Sequence, residues 1–331
     1  MKKSILFLLI LWGAGAPAFS QTLFPGLESD FSRVMLLLGQ EILPTIQQND
    51  LSGSGIGQAT LGNSHFFIGL TVGSVVSDGL LKFRNETDWQ TLDLSGLINT
   101  IVPASGPARS LYDASANAFP YPTLKVNAGV ALPWGFELLG SGMYLPQAFT
   151  SPIISGLASN LNGLSVSAAN YVFRLRHPLI LEQGNFPAVS LGVGYSYSQV
   201  SISYQLSNFQ QSIAGQTVAI NGALNSSTQV NSFGTDLTIS KNWLIFTPFL
   251  TTSLWYEAAN YNSSANLTAT VVSTSSSSSL SPSASTSLGT IAPIFTGGFD
   301  INLYVMRLLL SGSYNLGTKF WGADLSTRLQ F

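Results

Sequence analysis

The final stretch of the chain, Trp321 to Phe331, sorts by parity. Trp321, Ala323, Leu325, Thr327, Leu329 and Phe331 fall on one side, and Gly322, Asp324, Ser326, Arg328 and Gln330 on the other. Successive side chains of a β-strand point to opposite faces. The segment therefore reads as a strand with one mostly apolar face, closed by an aromatic ring, and one face that holds every charge. The pattern recurs upstream. Phe66, Ile68, Leu70, Val72 and Val76 share a face, as do Leu124, Val126, Ala128 and Val130 with Lys125 and Asn127 opposite. Phe136, Leu138 and Tyr144 oppose Glu137, and Tyr171, Phe173 and Leu175 oppose Arg174 and Arg176. Phe233, Leu237 and Ile239 oppose Asp236, whereas Phe246, Leu250, Leu254 and Tyr256 stand on one face of a less regular run. Ile291, Phe295, Phe299 and Ile301 oppose Asp300, and Leu308, Leu310 and Tyr314 oppose Arg307. Val189 to Tyr197 alternates cleanly, but Ile202 and Tyr204 join that run only by a change of parity.

What lies outside the apolar face follows from the charge content. Only 8% of residues are charged, against about 25% in ordinary soluble proteins. A soluble sandwich would hide its apolar faces and show charge to water. Here the strands need an apolar environment outside and a polar one inside, while no mature segment has the roughly 20 apolar residues of a spanning helix. A closed barrel meets both conditions and leaves no unpaired backbone edge in the bilayer. The fold class is thus all-β: a transmembrane antiparallel up-and-down β-barrel of about ten strands, preceded by a short amphipathic helix. Twelve or fourteen strands follow if residues 79–90 or 200–224 hide a further hairpin. The expected lumen lining is Lys125, Glu137, Arg174, Arg176, Asp236, Asp300, Arg307, Asp324 and Arg328, either as a packed salt-bridge interior or as a selectivity lining.

The rest of the organisation falls into place around the strands. Residues 1–20, with a basic "MKK", an apolar core and small residues before Gln21, read as a signal peptide for Sec-dependent export. Residues 63–331 form the barrel. Short turns at "PWG", "KNW" and "YVM" alternate with long connections at 77–121, 146–163, 208–227 and 262–288, the last carrying "STSSSSSLSPSASTS", too polar to pack and expected as a mobile loop. Residues 21–62 form a separate helical segment. Leu27, Phe31, Val34, Met35, Leu38, Ile42 and Ile46 recur near helical spacing, and Pro44 should end or kink the helix. This helix either lies against the barrel base or plugs the lumen. As a plug, Phe31, Val34, Leu38 and Ile42 would sit in or across the periplasmic mouth, where inward Leu139 and Phe249 could meet them.

Catalytic chemistry is not legible. The sequence holds two histidines, His65 and His177, and no cysteine. No paired carboxylates, phosphate loop or metal-ligand spacing appears, so the expectation is a non-enzyme without metal or cofactor. A net charge of −2 gives no reason to expect nucleic acid.

The terminal Phe331, with Leu329, Thr327, Leu325 and Ala323 at alternate positions before it, resembles the assembly signal of bacterial outer-membrane barrels. That resemblance implies outer-membrane lipid and the barrel assembly machinery as partners, and the outer membrane as the location. The order of the helix, "GIGQATLGNSHFFIGLTVGSVV", "YPTLKVNAGVALPWGFELLGSGMYLPQ" and "YVFRLRHPLILEQGNFPAVSLGVGYSY" is similar to a family of uncharacterised bacterial outer-membrane proteins, which brings no known activity. A helix before a barrel is also similar to the long-chain fatty-acid transporters of the outer membrane, although their residue motifs do not map onto this shorter chain. That likeness implies passive passage of a small solute, a hydrophobic ligand included, through a narrow or gated lumen. The alternative is a surface-exposed structural or adhesion barrel with Ser-rich loops.

Overall fold

The structure, a computed structural model, describes residues 15–62, 64–77, 85–92, 109–110, 113, 119–147, 163–213 and 215–331, with side chains from residue 24 onward except at 119 and 120. Among them the strand segments are β1 (Phe66–Ser77), β2 (Phe119–Ala131), β3 (Glu137–Leu145), β4 (Leu164–Ile180), β5 (Ala188–Ile213), β6 (Gln216–Ser240), β7 (Phe246–Val271), β8 (Ser276–Leu280), β9 (Ser283–Leu303), β10 (Met306–Asn315) and β11 (Trp321–Gln330). β8 and β9 lie on the same side of β7 in one continuous register, Leu267 opposite Leu280 and Ser264 opposite Ser283, interrupted only at Ser281 and Pro282. They are one strand, and the barrel has ten. Every neighbour in sequence pairs antiparallel, and β1 pairs with β11 from Phe67–Gln330 to Val76–Trp321, which closes the sheet. At that seam Phe331 stacks on Phe66 with ring centroids 5.0 Å apart.

The outer surface carries the apolar parity. Ile68, Leu70, Val126, Phe173, Val193, Phe233, Leu254 and Leu325 are all exposed. Their opposites face inward and are buried. No helix among the described residues is long and apolar enough to cross a membrane; the crossing elements are the strands.

β5, β6 and β7 have 26, 25 and 26 residues, more than twice the 9–11 that span a bilayer. Their upper halves therefore stand clear of it, and along them the polarity inverts. Below, the outward residues are apolar, such as Leu250 and Tyr256; above, they are Asn and Ser, and the inward residues become apolar: Ile213, Val218, Ile220, Leu267, Val271 and Leu280 are buried together. β5 keeps one parity through Tyr204 and changes it only later, at the irregularity between Leu206 and Phe209. Ile202 and Tyr204 point inward because the barrel has left the membrane and now covers an interior apolar element. For the same reason the connections expected at 208–227 and 262–288 are largely strand. "STSSSSSLSPSASTS" is held in a sheet by neighbouring backbones, with Leu280 as its buried anchor, where composition alone suggested a mobile loop. Most of 77–121 and 146–163 lies outside the described residues.

The interior element is helix α1 (Gly15–Leu51), which continues through both Pro25 and Pro44. An unsupported helix would break at Pro44, at a cost of about 3 kcal/mol or more. Here the surrounding wall supplies packing on all sides, and residues 45–50 are buried.

Candidate functional site: the helix-filled lumen

α1 enters at the long-loop end and descends towards the short turns. Phe24, Leu27, Phe31, Val34 and Met35 pack with the inverted tops of β5 to β8. This position differs from the periplasmic mouth expected for Phe31 and Val34. The apolar stripe goes where the wall is apolar inside, and that is the long-loop end. Leu38 packs against the same cluster, whereas Ile42 joins Leu43 and Ile46 one level down against Met143, Val200, Val230 and Tyr261. Leu139 and Phe249 do not meet the stripe. Leu139 clusters with Ile56, Leu61 and Phe67, and Phe249 lies against Gly57.

The helix and the wall approach closely at Gly39, where a Cβ would lie 2.3 Å from the Tyr261 ring. Above this level Asp30 accepts N–H bonds from Gln90, Thr91 and Leu92 at 3.0, 2.6 and 2.8 Å, which ties a piece of the first long connection to the helix. Arg33 pairs with Glu86 at 2.8 Å. The guanidinium holds the Glu86 carboxyl below the usual glutamate range.

The polar half of the lumen binds the end of α1 and the segment after it. Lys125, buried on β2, donates from Nζ to the carbonyls of Asn49, Asp50 and Ser52 at 2.9, 2.7 and 2.6 Å. The first two belong to the last turn of the helix and the third follows it directly, where the backbone dipole is negative and a cation is favoured. Asp324 accepts from the Ser52 hydroxyl at 2.9 Å. The Asp50 carboxylate accepts from Asn170 and Ser196. Lower down, Arg174 donates to Ser54 Oγ at 2.8 Å and lies 3.7 Å from Asp236. Arg176 pairs with Glu137 and donates to the Gln58 carbonyl at 2.7 Å. Arg307 reaches Gln58 Oε1 at 2.6 Å and Asp300 at 3.3 Å, and Arg328 bonds the Ile56 carbonyl and Asp300. Glu137 also accepts the Leu61 N–H at 2.6 Å. All nine charged residues read from the sequence thus face the interior, and each of the five basic ones donates to residues 49–58.

Sequence reasoning missed two features of this site. Trp255, fully buried, lies flat on the wall over Gly194 and Gly234, its two cross-strand neighbours in β5 and β6, with the Arg174 guanidinium 5.4 Å from its ring. The signal was a pair of inward glycines in register with an inward Trp. Glu257 was also passed over. It is buried, without a hydrogen-bond partner on either oxygen, one turn of strand above Trp255. The two histidines sit at the short-turn end. The His65 N–H bonds the Phe331 carbonyl at 2.5 Å, and the His177 ring lies 4.7 Å from that of Phe136. Among the described residues no cluster of three or more metal-ligating side chains occurs.

A slot of about 50 Å³ stays open in the lumen beside residues 51–58, bounded by Arg174, Trp255, Phe249 and Asp324. A ten-stranded barrel with an apolar exterior, aromatic residues at the edges of that exterior and a charged interior is the architecture of the outer-membrane β-barrels.

The chain is similar to the outer-membrane protease OmpT of Escherichia coli, at 8% identity and a TM-score of 0.41, covering 82% of this chain and 98% of that one. It is similar to the translocator domain of the autotransporter NalP from Neisseria meningitidis, at 9% identity and a TM-score of 0.35, covering 86% and 95%. A Pseudomonas aeruginosa FadL homologue is matched at 7% identity and a TM-score of 0.23, covering 81% and 90%. No family model and no curated protein matches the chain.

Proposed function

We infer that the chain is a surface-exposed structural barrel of the bacterial outer membrane, closed by its own N-terminal segment. The observation that carries this reading is the course of α1 and the segment after it, which run down the lumen; Lys125 bonds the end of the helix, and four arginines bond residues 54–58 beyond it. An eight-stranded barrel is filled by side chains alone and a sixteen-stranded one holds a channel. Ten strands leave room for one helix and little more. The tall upper halves of β5 to β9, with the long connections, then form the part seen from outside. A second reading, gated passage of a small solute, draws on the slot beside residues 51–58 and on the polar character of the contacts there, which can exchange for water if the segment moves.

Planar-bilayer recording separates the two. The full chain should be silent, and a chain lacking residues 22–60 after the signal peptide should fold, by heat shift on a gel, and conduct. Steady or ligand-triggered conductance of the full chain would replace the closed reading with the passage reading.

A further inference from the structure

Above the membrane belt, the outward face of β4 to β9 is a lattice of uncharged hydrogen-bonding side chains. The rows can be read from the strand register. Phe173, Tyr195, Phe233, Tyr256 and Ile291 form one cross-strand row, the last fully apolar or aromatic one. Two rows higher stand Ala169, Gln199, Gln229, Asn260 and Ser287. The next is Ser167, Ser201, Ser227, Asn262 and Ser285, and above it Ser165, Ser203, Asn225, Ser264 and Ser283. All ten positions of these two upper rows are Ser or Asn, and together they line a shallow groove of about 560 Å³. Between Gln199 and Phe299 only Asp236, Lys241 and Glu257 are charged. Asp236 and Glu257 are buried inside the barrel, and Lys241 follows β6 at the short-turn end.

A face without a single charge over five strands is unlike a surface selected only for solubility, which mixes charges of both signs. It is unlike a protein-docking surface, whose energy resides in Trp, Tyr and Arg anchors. It cannot bind phosphate strongly, because no Lys or Arg is there to make charge-assisted bonds. It is too polar to face acyl chains, since each unpaired amide in hydrocarbon costs several kcal/mol in general. What it matches is a neutral partner that both donates and accepts hydrogen bonds, as Ser and Asn side chains do. Sugar hydroxyls have this chemistry. The position selects the source. The two rows lie six to eight residues above the aromatic row on the same outward parity, which at about 3.3 Å per residue and a 35–45° tilt is roughly 15–20 Å above the membrane edge. They continue the lipid-facing belt without a step.

We propose that this Ser/Asn face is the contact surface for the neutral sugar chain of the outer-leaflet glycolipid whose acyl chains cover the belt below. The proposal rests on the outer-membrane placement with the long-loop end outward. The chain has no cysteine, so a single label can be placed cleanly. Ser227→Cys in the full chain is first tested with a membrane-impermeant maleimide on intact cells whose lipopolysaccharide lacks the sugar chain; failure there would overturn the orientation itself. The purified labelled protein, carrying a nitroxide, then goes into vesicles of lipopolysaccharide with its full sugar chain, or of lipid A alone, and its accessibility to a water-soluble nickel relaxation agent is measured. A severalfold fall with the sugar chain present is expected. The fall should vanish in a background of Ser201→Ala, Ser203→Ala and Ser264→Ala, each lost hydrogen bond weakening the contact about two- to tenfold. A second background, Ser201→Val with Ser203→Val, keeps a strong strand former at each site and should behave alike if the alanine background fails to fold. Equal accessibility in both vesicles would mean no contact, and an undiminished fall in a folded variant would mean crowding alone; either overturns the proposal. Equal protection by free dextran added to lipid A vesicles would overturn the assignment to a tethered glycolipid.

Discussion

Lys125→Met removes the charge that holds the end of α1 and keeps the length of the side chain. Three carbonyls, those of Asn49, Asp50 and Ser52, lose a donor at 2.6 to 2.9 Å. Asp50 and Asp324, both buried, lose their nearby cation. Breaking a buried charge network by removing one partner costs about 3–5 kcal/mol. If that cost falls on docking of the segment, the undocked population rises about 10²- to 10³-fold, at 1.4 kcal/mol per decade. The strands themselves keep their backbone pairing, so the barrel should remain folded. Thr45→Cys reports the event, since Thr45 is 1% exposed in the docked state. Maleimide reaches it only through undocking, and the labelling rate then tracks the open population. The expected result is a rate increase of about two orders of magnitude in Lys125→Met, with the heat shift on gels unchanged. An unchanged labelling rate in a folded variant would refute the role assigned to Lys125.

Gly39→Ala places a Cβ 2.3 Å from the Tyr261 ring, an overpacking that costs about 1–3 kcal/mol; it should speed labelling at Thr45→Cys, and Tyr261→Ala should reverse the effect. Deleting Phe331 removes the stack on Phe66 and the 2.9 Å bond from its N–H to the Phe66 carbonyl, so less folded barrel should reach the membrane, and equal amounts of heat-modifiable protein in both strains would count against an assembly role. Glu86 has a lowered pKa in the folded state through its bond from Arg33. The sign follows: the contact contributes above the ordinary glutamate range and is lost only as pH falls through the lowered value. A nitroxide at Thr87 should therefore keep its mobility from neutral pH down to about pH 5 and gain it below, and a transition near pH 6 would contradict the pairing.

The membrane half of the barrel was legible because one rule governs it. Apolar residues alternate with polar ones on every strand, and Lys or Arg turned to lipid at midplane would cost about 2–4 kcal/mol. The strand count of ten, the closing strand and the inward side of all nine charges come from that rule. The upper half was not legible in the same way, because there the rule reverses. Ile202 read as a change of parity and Ser276–Leu280 as part of a mobile loop. Both are strand residues whose inner face serves α1 in place of lipid. The reversal is visible once the helix is counted as a second apolar solvent. On β7 the apolar parity passes from Leu254 and Tyr256, outward, to Tyr261, Ala265, Leu267 and Val271, inward.

The same reversal explains how one helix fits a lumen of two characters. Burying Phe24, Leu27, Phe31, Val34 and Met35 contributes about 1.5–3 kcal/mol each before entropy, and this can happen only where the wall is apolar inside. The polar end of α1, Gln47 to Ser52, has no such partner and is met by Lys125, Asn170 and Asp324. Reversing the two ends would bury charges against Ile220 and Leu267 and leave the apolar stripe among five cations. The direction of α1 is therefore set by sequence order, and the chain must turn back at the short-turn end to begin β1. "SGSGIGQ" supplies that turn. Gly53 and Gly57 have φ of 65° and 77°, and a Cβ at Gly57 would lie 2.5 Å from Leu309. Only glycine enters that conformation at little cost with the wall so close. In the fold these residues are the bend that places the helix inside the barrel.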